Sequence, residues 1–269
     1  MIINGKKISF ELQKKIQREV AKFSRPLTLV VFSAGKNAAN DSYIQRKKVF
    51  AESVGILLHH VKLPTTSTAA AKKVLVKILK RKKPDAAILQ IPVAKKLNAD
   101  ALIDAIPAEL DVDALGNGKK YFLSPVVLSV QNILRNNHIS VSSKNVVVVG
   151  AGRLVGRPVA SYFLNKKAKV TVCDEFTKDI STSTKKADII VSGAGASHII
   201  TPAMVKKNVV ALDVGFSIKN GKIVGDIDPL VAKKALVFSP VPGGIGGMTV
   251  AYLFHNVVQA KKRQNKAKN

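Results

Sequence analysis

The chain reads as an α/β protein built from two α/β domains with parallel sheets. Three observations predict this. Strand-like apolar runs alternate with helical segments from one end to the other. The runs Leu27 to Phe32 and Ala86 to Ile91 are apolar almost throughout, as strands buried on both faces should be. The second half repeats the pattern around Val146-Val-Val-Val149, which enters a glycine-rich turn.

The elements follow in order. Phe10, Leu12, Ile16, Val20 and Phe23 recur at near-helical spacing and predict an amphipathic helix over Ser9 to Phe23. After the strand Leu27 to Phe32, Gly35 to Asp41 reads as a polar turn. Asp41 or Ser42 then caps a helix from Tyr43 to Val54, which Gly55 stops. Strand Ile56 to Lys62, helix Ser67 to Lys80, strand Ala86 to Ile91 and a short helix Asp100 to Ile106 complete the first half. Gly116 to Lys120 is a loop and the best candidate for a domain boundary. The second half predicts helix Pro125 to Asn136, strand Asn145 to Val149, helix Pro158 to Asn165 and strand Lys169 to Cys173. Strands Asp188 to Ser192, Val209 to Val214 and Leu236 to Phe238 come next, and a helix from Thr249 to Lys262 ends the pattern. The tail from Lys261 reads as frayed and solvated.

Composition excludes several classes. No apolar run reaches the roughly 18 residues of a membrane span. No hydrophobic region follows the charged start, so no secretory signal is expected. Cys173 is alone, so no internal disulfide forms, and a reducing, cytoplasmic location fits. His59, His60, His138, His198 and His255 show no metal-ligand spacing, and no metal is expected. The net charge is +27, carried by 36 Lys and 8 Arg. One reading is a polyanionic partner or steering of an anionic substrate. The favoured one is a lysine-rich solvated surface, because the lysines spread along the chain and aromatics for base stacking are only 5%. Nucleic acid is therefore not the expected partner.

The turn Gly150-Ala-Gly-Arg-Leu-Val-Gly156 lies between a strand and a helix. Glycines let a backbone approach a pyrophosphate, and the helix N-terminus supplies N–H groups and a favourable dipole. The spacing departs from the commoner GxGxxG, but the strand–turn–helix context is that of a Rossmann-type dinucleotide site. About twenty residues on, Asp174 and Glu175 end the next strand, where acids accept bonds from ribose hydroxyls. That favours NAD over NADP, whose 2′-phosphate they would repel; Arg153 could offset this by reaching the phosphate.

In the first half, Tyr43 and Lys47 are four apart on one helix face. A lysine in a cleft serves proton transfer when burial lowers its pKa. By itself the pair also fits an ordinary surface. Gln90 stands at a strand C-terminus, where α/β sheets put ligands, and a glutamine in so apolar a strand needs a partner. Asp111 and Asp113 offer carboxylates that could grip an amino-pterin edge or cap a helix. Ser239 to Thr249 holds four glycines and two prolines, which suits a backbone wall against a flat ligand.

Taken in order, these motifs resemble the bifunctional methylenetetrahydrofolate dehydrogenase/methenyltetrahydrofolate cyclohydrolase family. Tyr43-Ile-Gln-Arg-Lys47 with Gly55-Ile56 resembles its YVxxK…GI element, and Ile88-Leu-Gln-Ile-Pro92 its VQLP strand end. Asp111-Val-Asp113 resembles DVD, Asp213-Val-Gly215 and Gly225-Asp-Ile-Asp228 resemble IDVG and GDVD, and Pro240 to Thr249 resembles PVPGGVGPMT. The resemblance implies oxidation of 5,10-methylenetetrahydrofolate with NAD or NADP, then hydrolysis to 10-formyltetrahydrofolate. A dehydrogenase without cyclohydrolase activity is the alternative. It implies Lys47 as the catalytic lysine, Tyr43 beside the pterin, Gln90 bonded to the lysine and Asp113 anchoring the ring. Ile91, Pro92, Pro242, Gly243, Gly244 and Thr249 join the substrate set. Val155 and Phe216 join Gly150, Ala151, Gly152, Arg153, Gly156, Asp174 and Glu175 in the cofactor set.

It further implies a folate domain of residues 1–118 with 248–269, its last helix returning to it, a NAD(P) domain of residues 119–247, and a homodimer. The substrate's tail would be an anionic polyglutamate. The chain departs from the family pattern at Ala151-Gly152, Glu175, Val49 and Gly247, and only eleven residues separate Asp113 from Pro125.

Overall fold

The computed structural model describes residues 1–267. The chain divides into two compact units, Phe10–Pro125 with Val250–Asn269, and Met1–Ser9 with Val126–Thr249. Relative to the expected domains, residues 1–9 and 248–249 fall in the second unit and residues 119–125 in the first. Backbone bonds between Ile3 N–H and Phe238 O, and between Phe238 N–H and Met1 O, lay the N-terminus beside the last strand of the second unit.

The first unit holds α1 (Gly5–Val20, its first turn in the other unit), β1 (Thr28–Ser33), α2 (Ala38–Ser53), β2 (Leu57–Lys62), α3 (Thr68–Lys82), β3 (Ala86–Leu89) and α4 (Ala99–Ile103). Its three strands are parallel in the order β2-β1-β3, with Leu29 level with Leu58 and Ala86. The central β1 is buried along its length after Thr28, which is why its sequence reads as an unbroken apolar run. One core lies on each face: Leu29, Val31 and Ile88 look one way, Val30, Phe32 and Leu89 the other. Phe10, expected on the apolar face of α1, is instead 54% exposed with the Lys14 ammonium 4.4 Å over its ring.

Helix α2 begins five residues before the expected start. Asn37 caps it by accepting from the Asn40 N–H at 3.0 Å, so neither Asp41 nor Ser42 is the cap.

The second unit comprises α5 (Pro125–Asn136), β4 (Asn145–Val149), α6 (Gly156–Asn165), β5 (Lys169–Cys173), α7 (Ser181–Thr184), β6 (Ile189–Ser192), β7 (Val209–Asp213), β8 (Ser217–Lys219), β9 (Lys222–Val224) and β10 (Ala235–Ser239). Five strands form a parallel sheet in the order β10-β7-β6-β4-β5. The chain moves one strand outward from β4 and then returns past it to β6, so the switch point lies between β4 and β6. β8 and β9 form an antiparallel hairpin through Asn220-Gly221, both at positive φ, an element the sequence reading lacks.

α8 (Ile245–Lys266) starts in the second unit and continues into the first, where Leu253, Phe254 and Val257 are buried and Phe254 stacks on Phe50 at 5.1 Å. The expected frayed tail is helical through Lys266; its last two residues lie outside the described ones. Side-chain partners explain the difference. Lys262 pairs with Glu19, and the Lys261 ammonium lies 3.2 Å from Asp85.

Asp85 is 1% exposed and also accepts from both terminal nitrogens of Arg25, at 2.8 and 2.6 Å, and from the Thr28 N–H at 2.9 Å. Burial pushes its carboxyl up, but the Arg25, Thr28 and Lys261 interactions outweigh this and hold it below the ordinary range. A carboxylate so depressed contributes stability above its unfolded pKa and loses it as pH falls through the folded one. Asp85→Ala should therefore cost about 3 kcal/mol at pH 7, measured by urea unfolding, and progressively less below about pH 4. A change near zero at pH 7 would show that this clasp does not hold the helix.

Candidate active site

In the first unit Gln90 and Asp113 lie beside the buried amine of Lys47, and Tyr43 precedes it by one turn on α2. Lys47 lies on α2 and is 8% exposed. An ammonium in that position needs acceptors, because desolvating an unpaired charge is costly. Its Nζ donates to Gln90 Oε1 at 2.9 Å. Burial pushes the Lys47 ammonium below its usual pKa, and the charge of Asp113 opposes this. Burial likewise raises the Asp113 carboxyl, with Lys47 pulling it back. Tyr43, one turn before Lys47, is half-buried; burial raises its phenol, while the charge of Arg46, 5.6 Å from its ring, opposes this.

Gln90 is held in one orientation. Its Nε2 donates to the Ile91 carbonyl at 3.1 Å and to Asn40 Oδ1 at 3.4 Å. Asn40 in turn donates from Nδ2 to the Pro92 carbonyl at 2.8 Å. The two main-chain carbonyls can only accept, so each amide must turn its NH2 toward them. Gln90 is left with its oxygen facing Lys47. Ile91 and Pro92 thus enter the site through their carbonyls. Asn40, 5% exposed, is the residue the sequence reading missed.

The two carboxylates of Asp111-Val-Asp113 separate in role. Asp111 Oδ2 accepts from the N–H groups of Leu115 and Gly116, each at 2.9 Å, and so braces its own turn. Asp113 is the one left beside the lysine.

The cofactor set lies in the second unit. Gly150 sits at φ +97°, and a Cβ there would be 2.7 Å from the Gly193 carbonyl. A Cβ on Gly156 would meet the Gly150 carbonyl at 1.9 Å, so this glycine lets α6 pack on β4. A Cβ on Gly152 would meet nothing within 4 Å. The middle of the turn is therefore open, and α6 starts with neither a side-chain cap nor an acid in its first turn. An open glycine before a helix start that carries no acid fits a pyrophosphate. Arg157 stands over this turn, with Nε donating to the Ala151 carbonyl at 3.3 Å; the partial burial of Arg153 itself, and then the charge of Arg157, lower the Arg153 pKa. Val155 turns inward instead, since its Cγ1 would lie 2.4 Å from a Cβ on Gly193.

Asp174 and Glu175 are exposed at the end of β5, with Asp174 Oδ1 accepting from Phe176 N–H and Thr177 Oγ1. Phe216 follows β7 and is 37% exposed. Pro242, Gly243, Gly244 and Thr249 also belong to this unit. Gly244 has an internal reason to be glycine, since a Cβ would meet the Pro240 carbonyl at 2.5 Å. Gly243 sits at φ +107° with open space beside it.

The orientation argument for Gln90 predicts the behaviour of Asn40→Leu. Without Asn40 Oδ1, the Gln90 amide turns over more freely and Lys47 loses part of its acceptor. A hydrogen bond to a charged group stabilises it by about 1.5 kcal/mol, so the Lys47 pKa should fall by about one unit. The Cε chemical shift of Lys47 through a pH titration reads this directly. An unmoved pKa in Asn40→Leu, with a moved one in Gln90→Leu, would remove Asn40 from the site.

Comparison with known proteins covers both units. Residues 3–113 match the family model of the tetrahydrofolate dehydrogenase/cyclohydrolase catalytic domain, and residues 125–265 that of its NAD(P)-binding domain. The bifunctional protein FolD of Aquifex aeolicus is 35% identical, over 98% of this chain and 96% of its own. The crystal structure of the Campylobacter jejuni bifunctional FolD superposes with a TM-score of 0.92 at 29% identity, covering 98% of this chain and 99% of that one. The Trypanosoma brucei enzyme, crystallised with NADP and an inhibitor, gives 0.91 at 26% identity, covering 98% of each chain. With both models matched and full-length relatives above 30% identity, the chain belongs to the tetrahydrofolate dehydrogenase/cyclohydrolase family.

Proposed function

We propose that the protein oxidises 5,10-methylenetetrahydrofolate to the methenyl form with NAD or NADP, and hydrolyses that product to 10-formyltetrahydrofolate. The observation that carries this reading is Lys47, a buried amine of lowered pKa held on Gln90 with Asp113 nearby, in a chain that also has an open dinucleotide turn.

A dinucleotide held at the Gly150 to Gly156 turn would supply the acceptor for the hydride that leaves the methylene carbon. The residues of this chain then handle position and protons. Asp113 accepts from the amino edge of the pterin, and Tyr43 packs beside the ring. Lys47 holds a water against the electrophilic methenyl carbon. As the water oxygen bonds to that carbon, its proton passes to Lys47. The carbon–N5 bond then breaks, N5 takes up a proton, and the formyl group stays on N10. Such positioning and proton transfer need an amine poised between charge states near neutral pH, the direction in which burial moves Lys47.

NAD is the proposed preference, supported by the exposed acids Asp174 and Glu175, which would repel a 2′-phosphate. A cytoplasmic location is proposed from the single cysteine; among the described residues, no helix is long and apolar enough to cross a membrane. We propose a homodimer through the second unit. Support comes from β5, an unpaired sheet edge with Val172 44% exposed and Phe176, just beyond it, 82% exposed. Sedimentation as a monomer at micromolar concentration would exclude it. The charge of +27 would steer a polyglutamylated folate, and a KM for it that ignores ionic strength would exclude that.

Lys47→Met should reduce hydrolysis by at least a hundredfold and leave measurable dehydrogenation, followed as reduced dinucleotide at 340 nm with NAD and NADP side by side. Hydrolysis that survives the substitution would strip Lys47 of its role. Failure of hydride transfer with both dinucleotides in the wild-type protein would overturn the whole reading.

A further inference from the structure

Beside the open dinucleotide turn the second unit holds another cradle of backbone amides, and this one is filled from within. Loop 193–196 follows β6, across the switch point from Gly150. It lies directly against the turn, since a Cβ on Gly150 would be 2.7 Å from the Gly193 carbonyl and 3.0 Å from the Ala194 nitrogen. The N–H groups of Ala194, Gly195 and Ala196 all point to the carboxylate of Asp226, at 2.7, 3.2 and 2.9 Å. Ser192 Oγ adds a fourth donor at 2.7 Å.

Asp226 is 0% exposed, and Gly215 leaves room for it, because a Cβ there would sit 1.9 Å from Oδ2. Behind it lies a second buried carboxyl, Asp213, which accepts from the Ile227 N–H at 2.8 Å while its Oδ1 has no partner. Burial, with the charge of Asp226 among the further causes, pushes Asp213 up to about 7. The protein therefore tolerates two adjacent buried acids to keep one of them against this loop.

Three successive amides turned to one point bind an anion readily. Left open, loop 193–196 would offer a second place for a pyrophosphate a few ångströms from the first. With Asp226 in it, the three amides are already taken up. The acids of β5 lie on the adenosine side of the Gly150 turn, so loop 193–196, on the β6 side, walls the nicotinamide side.

We propose that Asp226 is a positioning residue for the dinucleotide: by occupying the amide cradle of loop 193–196 it sets the wall opposite the Gly150 turn and confines the pyrophosphate to that turn. The proposal rests on the dinucleotide reading above. It acts through the loop, so it concerns binding geometry and leaves the chemistry at Lys47 untouched.

The test uses the full-length protein without folate. NAD and NADP are titrated by calorimetry into wild type, Asp226→Asn and Ser192→Ala. An asparagine presents an NH2 to donors that need an acceptor, so the Kd of Asp226→Asn should rise at least tenfold for both dinucleotides. Ser192→Ala removes one donor and keeps the charge, and its Kd should rise about threefold. Cyclohydrolase kcat and KM, measured without dinucleotide, should stay within twofold of wild type in both. A folded variant that binds both dinucleotides within twofold of wild type would overturn the proposal. So would a loss of cyclohydrolase parallel to the loss of binding, which marks a merely structural role. Should Asp226→Asn fail to fold, Ser192→Ala decides alone by the same limits. A wild-type protein that binds neither dinucleotide would overturn the underlying reading instead.

Discussion

Burying the ammonium of Lys47 is the constraint from which the first unit's site follows. A charge taken out of water needs an acceptor, which Gln90 supplies, and burial also lowers the Lys47 pKa. The acceptor is a neutral amide, which would be indifferent to which end it offers if nothing held it. The main-chain carbonyls of Ile91 and Pro92 remove that indifference, one directly and one through Asn40. The sheet supplies the rest. β3 ends one residue before Gln90, flanked by a core on each face, so Gln90 leaves the sheet at a defined point. Asn37 starts α2 early enough to put Asn40 within reach and leaves Lys47 two turns further along the same helix.

Carboxylates in this chain divide by what they accept from. Asp111 faces backbone N–H groups of its own turn and Asp226 those of loop 193–196, and each fixes the segment it faces. Asp85 faces cations and ties strand β1 to the C-terminal helix. Asp113 and Glu175 have no such internal commitment in the bonds described. An acid committed to internal donors has less to offer a ligand, and Asp113 is the one left beside Lys47. The family resemblance singled out Asp113 from the tripeptide, and the turn at Leu115 and Gly116 supplies the physical reason, since it takes up Asp111.

What was legible in the sequence was what depends on neighbours along the chain. Pro125–Asn136, Asn145–Val149 and Lys169–Cys173 came out with their observed ends, since apolar period and local breakers define them. The start of α2 was misplaced because a polar stretch reads equally as turn or capped first turn. The hairpin at Asn220-Gly221 carried a strong local signal, but its strands of three residues each are too short to show a period. Asn40 and Asp226 were illegible for another reason. The partners of Asn40 lie 50 and 52 residues away, and those of Asp226 lie 30 to 34 away. No spacing rule connects such positions; only the fold does. The helical tail belongs here too, its lysines answering acids on α1 and before β3.

The dinucleotide turn shows why a spacing rule is weaker than the contact it stands for. Gly150-Ala-Gly-Arg-Leu-Val-Gly156 carries one residue more between its second and third glycines than the commoner fingerprint. Yet each glycine has the physical duty expected of it. The first takes a positive φ against loop 193–196, the third admits the Gly150 carbonyl where a Cβ would stand, and the second borders open space. The additional residue is absorbed between Gly152 and Gly156, where Val155 turns inward and packs on Gly193. The additional residue thus lies in the stretch that contacts the β6 loop, and the position at Gly152 stays open. That is why the geometry, rather than the letter pattern, carries the cofactor assignment.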